Sequence, residues 1–186
     1  VLPNVLEVAR RLIRERVKPT DVVVDATMGN GNDTLFLCQC IDQNGLVIAY
    51  DIQEAALLKT KARLEREGIS TPVEFHLESH EGMKKLRTPV GAIMFNLGYL
   101  PGGDKDITTK AESTVRAIEA GLAILRPGGI MTIVLYWGHP AGEIEKEVVE
   151  KYCATLDQSE FLVLKYQYLN QKNQAPYLLA VEKRGM

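Results

Sequence analysis

The chain has 186 residues, 46% of them hydrophobic and 25% charged, with a net charge of -2 and a pI near 6.0. This length builds one core readily and two only with difficulty, and no apolar run approaches the roughly 20 residues of a membrane span, so no membrane partner is expected. A balance this close to neutral excludes attraction to nucleic acid by global charge, so any such binding must use a local patch.

The first 20 residues, "VLPNVLEVARRLIRERVKPT", supply one candidate patch. Val5, Val8, Ala9 and Leu12 keep helical spacing, while Arg10, Arg11, Arg14, Arg16 and Lys18 outnumber Glu7 and Glu15. That pattern predicts a basic amphipathic helix, with Arg10 and Arg11 as candidate RNA contacts and a solvated face as the alternative. The arginines are spread through the pattern and do not precede a continuous apolar core, so the segment does not read as a signal peptide. The numbering opens on Val1 and not on methionine, so further residues are expected upstream. The three cysteines, Cys38, Cys40 and Cys153, form neither an even disulfide set nor a C-x-x-C pair. This suits a reducing cytoplasm and speaks against a zinc site or any other metal.

Beyond this helix, strand and helix alternate. "DVVVDA" (Asp21 to Ala26) is a β-branched run that opens into a glycine loop, and "DTLFLCQCI" continues as a helix with Asp33 and Thr34 near its start. "GLVIAYD" (Gly45 to Asp51) is the next strand, followed by a helix from Gln53 to Glu67 that Gly68 closes. "PVEFHLE" with "SHEGMKKL", and "PVGAIMFN" with a helix from about Thr108 to Leu125, repeat the unit. "GGIMTIVLYW" and a helix from Gly142 to Leu156 complete it. "EFLVLKYQYL" and "APYLLAVEK" then follow with no helix between them and should pair as an antiparallel hairpin.

The expectation is an α/β chain, one domain over residues 1–186, with a doubly wound and mostly parallel sheet of seven strands closed by a C-terminal antiparallel hairpin. Such a sheet places its ligand crevice at the carboxyl ends of the strands, so the loops after Asp25, Asp51, Leu77, Phe95 and Tyr136 are the ones to read. A parallel sheet closed by an antiparallel hairpin resembles the class I S-adenosylmethionine methyltransferase fold, a Rossmann-like architecture, more than a plain dinucleotide-binding one.

The first loop, "DATMGNGNDT", runs from Asp25 through Thr27, Gly29, Asn30, Gly31, Asn32 and Asp33 to Thr34. Its glycines permit close backbone approach to a ligand. Thr34 stands where G-x-G-x-x-G needs its third glycine, and no G-K-[ST] follows, so a P-loop is excluded. A pyrophosphate at this helix start would be opposed by Asp25 and Asp33, whereas a ligand carrying an ammonium and a sulfonium would be attracted. Asp51 ends the second strand about 20 positions beyond Gly31, where a carboxylate can accept hydrogen bonds from ribose hydroxyls. Ile52 and Gln53 could cover an adenine ring, and Ser79 and His80 could frame its edge, although Ser79 also reads as an N-cap.

"FNLGYLPGGDK", Phe95 to Lys105, follows a buried strand and spends three glycines, a proline, an amide and a tyrosine in eleven residues. It reads either as a glycine-rich turn capped by Asn96 or as the acceptor side of a site. It resembles the [DN]-P-P-[YF] loop of amino-methylating enzymes. There the amide oxygen and a following backbone carbonyl accept hydrogen bonds from the target nitrogen, and an aromatic ring packs on the target base. By that resemblance Asn96 is the acceptor, Leu97 supplies the carbonyl and Tyr99 the ring, with Leu97 and Gly98 in place of the two prolines.

The strings "DATMGNGNDTLFL", "YDIQ", "ESHEGM", "FNLGYLPGGDK", "ITTK", "LRPGG", "GHPAGEIEKE" and "YLNQKNQAPYLLAVEK" occur in this order over nearly the whole chain. Together they resemble the MnmM (YtqB-type) family, long described as rRNA methylases. Asn32 stands where that family commonly has histidine, and Glu78 where it commonly has aspartate. The resemblance implies transfer of a methyl group from S-adenosyl-L-methionine, leaving S-adenosyl-L-homocysteine, to the primary amine of 5-aminomethyl-2-thiouridine at the tRNA wobble position. The implied partner is the tRNA anticodon loop, and the sequence leaves a homodimer open.

An alkylammonium must lose a proton before it can attack, and His139 in "YWGHP" is the candidate acceptor, with a turn-stabilising role as its alternative. Tyr136 and Trp137 could stack on a splayed base, although a lone tryptophan is also common core material. Asp104 could attract the amine and Lys105 meet a phosphate, and Asn170, Gln171 and Asn173 offer polar contacts near the same crevice. The competing functions are a methyltransferase for rRNA, a small amine or a protein, and, from another class, a dinucleotide-dependent oxidoreductase or a non-catalytic nucleotide-binding module.

Overall fold

The structure, a computed structural model, describes residues 1–98 and 107–185, without the side chains of residues 107–109. Helix α1 (Val5–Arg16) begins at a capping box: Asn4 accepts the Glu7 N–H at 2.9 Å and Glu7 accepts the Asn4 N–H at 2.7 Å. Its Val5, Ala9 and Ile13, four residues apart, are buried in one stripe. Then come β1 (Val22–Asp25), α2 (Asn32–Cys40), β2 (Leu46–Asp51), α3 (Glu54–Arg66), β3 (Val73–Leu77), β4 (Val90–Leu97), α4 (Ile107–Ile124), β5 (Leu125–Leu135), α5 (Pro140–Ala154), β6 (Phe161–Tyr166) and β7 (Tyr177–Lys183).

The seven strands form one sheet in the order β3-β2-β1-β4-β5-β7-β6. The first five in that order are parallel, and β7 pairs antiparallel with both β5 and β6. This is the expected mostly parallel sheet with a terminal hairpin, and the hairpin's second strand is the one that inserts next to β5. The burial explains the choice: Tyr177 to Val181 are all buried, whereas Leu162, Val163 and Leu164 of β6 lie exposed at the sheet edge.

Side chains of successive strand residues go to opposite faces and meet different helices. On one face Val24, Ile93, Phe95 and Ile133 pack with Ala117, Ile118 and Leu122 of α4 and Val149 and Cys153 of α5. On the other, Val23, Ala92, Met94 and Val134 pack with Val5, Ala9 and Ile13 of α1 and with Phe36 and Leu37 of α2. The segment "SHEGMKKL", expected as a helix, is a 3-10 helix over His80–Lys85. Ser79 caps it, Gly82 lies inside it, and its bonds run from the Gly82 N–H to the Ser79 carbonyl and from the Leu86 N–H to the Met83 carbonyl. So short a run with a central glycine does not propagate α-helix.

At the end of the sheet away from the crevice, Arg126 of β5 grips Asp21, just before β1, with Nε at 3.1 Å and Nη2 at 2.7 Å. Nη2 also donates to the Arg16 carbonyl at 2.8 Å, which ties in the end of α1. Burial alone would raise the Asp21 carboxyl, but the Arg126 bonds and the Lys18 N–H outweigh it, so its pKa lies below the ordinary value. Both side chains are largely buried, so Arg126→Ala strands a charge. It should lower stability by about 3 kcal/mol, read as a reduced urea midpoint with an unchanged m-value.

Candidate active site

The crevice at the carboxyl ends of β1, β2 and β4 is organised by a carboxylate that no solvent reaches. Asp25 ends β1 and is 0% exposed. One oxygen accepts the Thr27 N–H at 3.1 Å and the other the Thr34 hydroxyl at 2.6 Å, which closes the loop between β1 and α2 back on its own start. Burial first, and the charge of Asp33 second, push its pKa up to about 7 against the lowering effect of those two bonds. Asp25 was expected among the residues that attract a cationic ligand. Completely buried, it shapes the loop, and its charge acts across it.

Within the loop Gly29 and Gly31 have φ of 52° and 83°, the left-handed region. A Cβ on Gly31 would stand 2.9 Å from Thr60 Oγ1 of α3, so a side chain there would also push the helices apart. Asp51 at the end of β2 accepts the Gly29 N–H at 3.0 Å and the Gln53 N–H at 2.9 Å. A carboxylate has about four lone-pair sites, so two remain for hydroxyl donors. Beside it Ile52 is 70% exposed, an aliphatic surface at the mouth of the crevice. Asn30 and Asn32 are exposed, and the Asn32 amide oxygen accepts from Arg63 of α3, a loop contact that the sequence pattern did not signal.

Ser79 is the cap of the 3-10 helix, its Oγ accepting the Glu81 N–H at 3.3 Å. His80 packs against Phe95 with ring centroids 5.5 Å apart, and burial lowers its pKa, so near neutrality it favours the uncharged form. These residues fit a ligand that is cationic at the glycine loop and carries ribose hydroxyls and a flat ring toward Asp51 and Ile52.

Asn96, one residue from the end of β4, joins this loop. Its backbone N–H donates to Thr27 Oγ1 at 2.8 Å, and its Nδ2 donates to Asp33 Oδ2 at 2.5 Å. A carboxylate accepts hydrogen bonds only, so the amide nitrogen must face Asp33 and the amide oxygen faces away. The Leu97 carbonyl, expected to meet the target nitrogen, accepts the Tyr136 N–H at 2.8 Å within the sheet ladder. Gly98 follows with φ 82°, and a Cβ there would overlap the Tyr136 carbonyl oxygen. Tyr99, Asp104 and Lys105 lie outside the described residues.

His139, expected as a proton acceptor, has both ring nitrogens engaged. Nδ1 accepts the Gly142 N–H at 3.2 Å as the cap of α5, so Nε2 carries the proton and donates to the Gly98 carbonyl. A ring held this way has no lone pair directed at a substrate, and the turn-stabilising alternative describes it. Trp137 is half-buried: its Nε1 donates to the Ala175 carbonyl at 2.9 Å, and Lys146 Nζ sits 4.2 Å from its ring centroid. Tyr136 is partly buried against the core face that α1 covers. Asn170, Gln171 and Asn173 are exposed on the loop between β6 and β7. That loop lies at the crevice end, because Tyr177 pairs with Leu135. Of the helix α1 candidates, Arg11 is exposed, whereas Arg10 turns toward the crevice with Nη2 3.4 Å from Asp33 Oδ1.

The strand order, the terminal hairpin and a glycine loop flanked by acidic strand ends define a class I methyltransferase. The chain belongs to the family described as "Putative rRNA methylase", whose model matches residues 47–182. It is 38% identical over 96% of its length to the chloroplastic tRNA (mnm(5)s(2)U34)-methyltransferase of Arabidopsis thaliana, covering 69% of that protein. A crystal structure from Clostridium thermocellum with the same family description superposes with a TM-score of 0.92 at 40% identity, over 98% of this chain and 99% of that one. The methyltransferase SMU.1697c of Streptococcus mutans, solved in complex with SAH, gives 0.88 at 37% identity, also over 98% and 99%.

The raised pKa of Asp25 has a pH consequence. The folded protein holds this proton more tightly than the unfolded chain, so the group lowers stability as pH rises from about 4 through about 7. A cation bound at the loop favours the ionised form, so affinity for S-adenosylmethionine should rise between pH 6 and pH 8. In Asp25→Asn the rise should disappear, as calorimetric titration at pH 6, 7 and 8 would measure.

Proposed function

We propose that this protein methylates the primary amine of 5-aminomethyl-(2-thio)uridine at the wobble position of tRNA, with S-adenosylmethionine as donor, and that it does so in the cytoplasm as one domain over residues 1–186. The observation that carries this reading is Asn96. Its amide nitrogen is occupied by Asp33, so its oxygen is the group left to accept a hydrogen bond, at the strand end beside the glycine loop. An amide oxygen suits a neutral amine: it accepts an N–H, aims the nitrogen lone pair, and does not bind the proton itself. Family membership and the activity of the Arabidopsis relative support the reaction and the tRNA substrate, and membership leaves no place for the dinucleotide-dependent oxidoreductase.

In this reading the chain positions the reactants and supplies no covalent chemistry. Asp51 takes the ribose hydroxyls, Ile52 and Gln53 cover the adenine, and Ser79 and His80 border it. The donor, when bound, supplies an electrophilic methyl group, and Asn96 holds the acceptor nitrogen in line with it. Asn170, Gln171 and Asn173 border the anticodon-loop side, and Arg11 offers a phosphate contact. Nuclease treatment of the substrate should abolish methyl transfer, and persistence of transfer would point to a small amine or a protein.

Two sets of variants test the roles. Asp51→Ala should weaken S-adenosylhomocysteine binding, whereas Asn96→Ala should leave it within about twofold and lower kcat by about 100-fold. Nucleoside mass spectrometry of the reacted tRNA should then retain the aminomethyl form. Equal losses of binding and turnover in Asn96→Ala would remove its assigned role.

His139 gives a separate prediction. A general base is worth about 10²- to 10⁴-fold in rate, but a cap that also holds Gly98 is worth less. His139→Asn, which keeps an N-cap side chain, should retain turnover within about tenfold of the parent. A kcat loss of three orders of magnitude in the folded variant would make His139 the proton acceptor after all.

A further inference from the structure

We infer that Arg10, on the N-terminal helix, is a positioning residue of the active site, acting through Asp33 to fix the side chain of Asn96. This rests on the proposed role of Asn96 as acceptor of the target amine. It replaces the expectation that Arg10 contacts RNA.

The three side chains form a relay across two elements and a strand end. Arg10 Nη2 stands 3.4 Å from Asp33 Oδ1, and Asp33 Oδ2 accepts Asn96 Nδ2 at 2.5 Å. Each carboxylate oxygen therefore has its own partner, and Asp33 is held at both ends. Asp33 is 8% exposed, at the first turn of α2. The Arg10 guanidinium lies 5.3 Å from the Phe36 ring centroid, one turn further along α2, and its Nε is buried. The Arg14 guanidinium sits 4.9 Å from the same ring. A planar cation over an aromatic ring, with one nitrogen on a carboxylate, is constrained in orientation as well as in place.

The consequence is directional. An amide has two orientations of similar shape, and only one of them presents its oxygen to the methyl acceptor. A carboxylate fixed opposite Asn96 selects the orientation with the nitrogen inward. If Asp33 is free to rotate, that selection weakens, and the acceptor nitrogen loses its aim at the methyl carbon. A misplacement of about 1 Å at such a site costs up to about 100-fold in rate. The Asn96 backbone, held separately by Thr27, does not move with it.

The test uses the full chain with tRNA carrying the unmethylated aminomethyl nucleoside. Arg10→Gln should lower kcat by about 10- to 100-fold. KM for tRNA and Kd for S-adenosylhomocysteine should stay within about twofold, and Arg10→Lys should recover part of the loss. In an Asn96→Ala background the same Arg10→Gln change should cost nothing further, because the group it positions is gone. Asp33→Asn, whose amide can pair with either orientation of Asn96, should reproduce the kcat loss, and it serves alone if Arg10→Gln fails to fold. A rise in KM with kcat intact and a shallower salt dependence would show a phosphate contact and overturn the inference. So would equal fold-losses from Arg10→Gln in both backgrounds. If Asn96→Ala itself keeps full kcat, the acceptor role fails first, and that outcome is distinct from independent losses at the two sites.

Discussion

The crevice depends on one buried carboxyl group. Asp25 lies at the end of the interior strand β1 with no solvent contact and is satisfied by the Thr27 N–H and the Thr34 hydroxyl. A carboxylate in such a place is costly unless hydrogen-bonded, so the loop between β1 and α2 must fold back to supply the donors. Thr27 then presents its own hydroxyl to the Asn96 N–H. The loop between β1 and α2 and the end of β4 are thus placed relative to one another by two consecutive hydrogen bonds that begin at a single carboxylate.

The end of β4 is held by a second set of contacts. Gly98 turns under the Tyr136 carbonyl with a backbone conformation that side chains disfavour. His139 caps α5 with one nitrogen and holds the Gly98 carbonyl with the other. The end of β4 is therefore fixed from β5 and α5 on one side and from α2 on the other. Methyl transfer asks for this kind of rigidity, because its rate is governed by alignment of donor and acceptor.

Much of this was legible along the chain. Alternation of β-branched runs with helical spacing identified the parallel sheet, and the uninterrupted apolar run from Tyr177 to Val181 marks a strand buried on both faces. The loop "DATMGNGNDT" and the terminal Asp51 stood out because glycine and carboxylate at a strand end have few purely structural uses. Other features were hidden, since their partners are distant in sequence. Arg10 meets Asp33 over 23 positions and Asp33 meets Asn96 over 63, and no local pattern signals such pairs. The short helix after Ser79 was legible, Ser79 included as its cap, but its 3-10 form was not, because charge and polarity along "HEGMKK" suit α and 3-10 geometry alike and its length and Gly82 decided between them.

The sequence by itself determined the alternating architecture, the acidic and glycine-rich character of the cofactor end, and the family to which the chain is related, because periodicity, turn chemistry and motif order are properties of neighbouring residues. Tertiary structure decided what individual side chains do. It buried Asp25 completely, engaged both nitrogens of His139, built Trp137 into the junction with the β6–β7 loop, and turned Arg10 toward Asp33. These outcomes depend on which groups meet across the sheet, and hydrogen-bond partners and burial are assigned only when the strands and helices have packed.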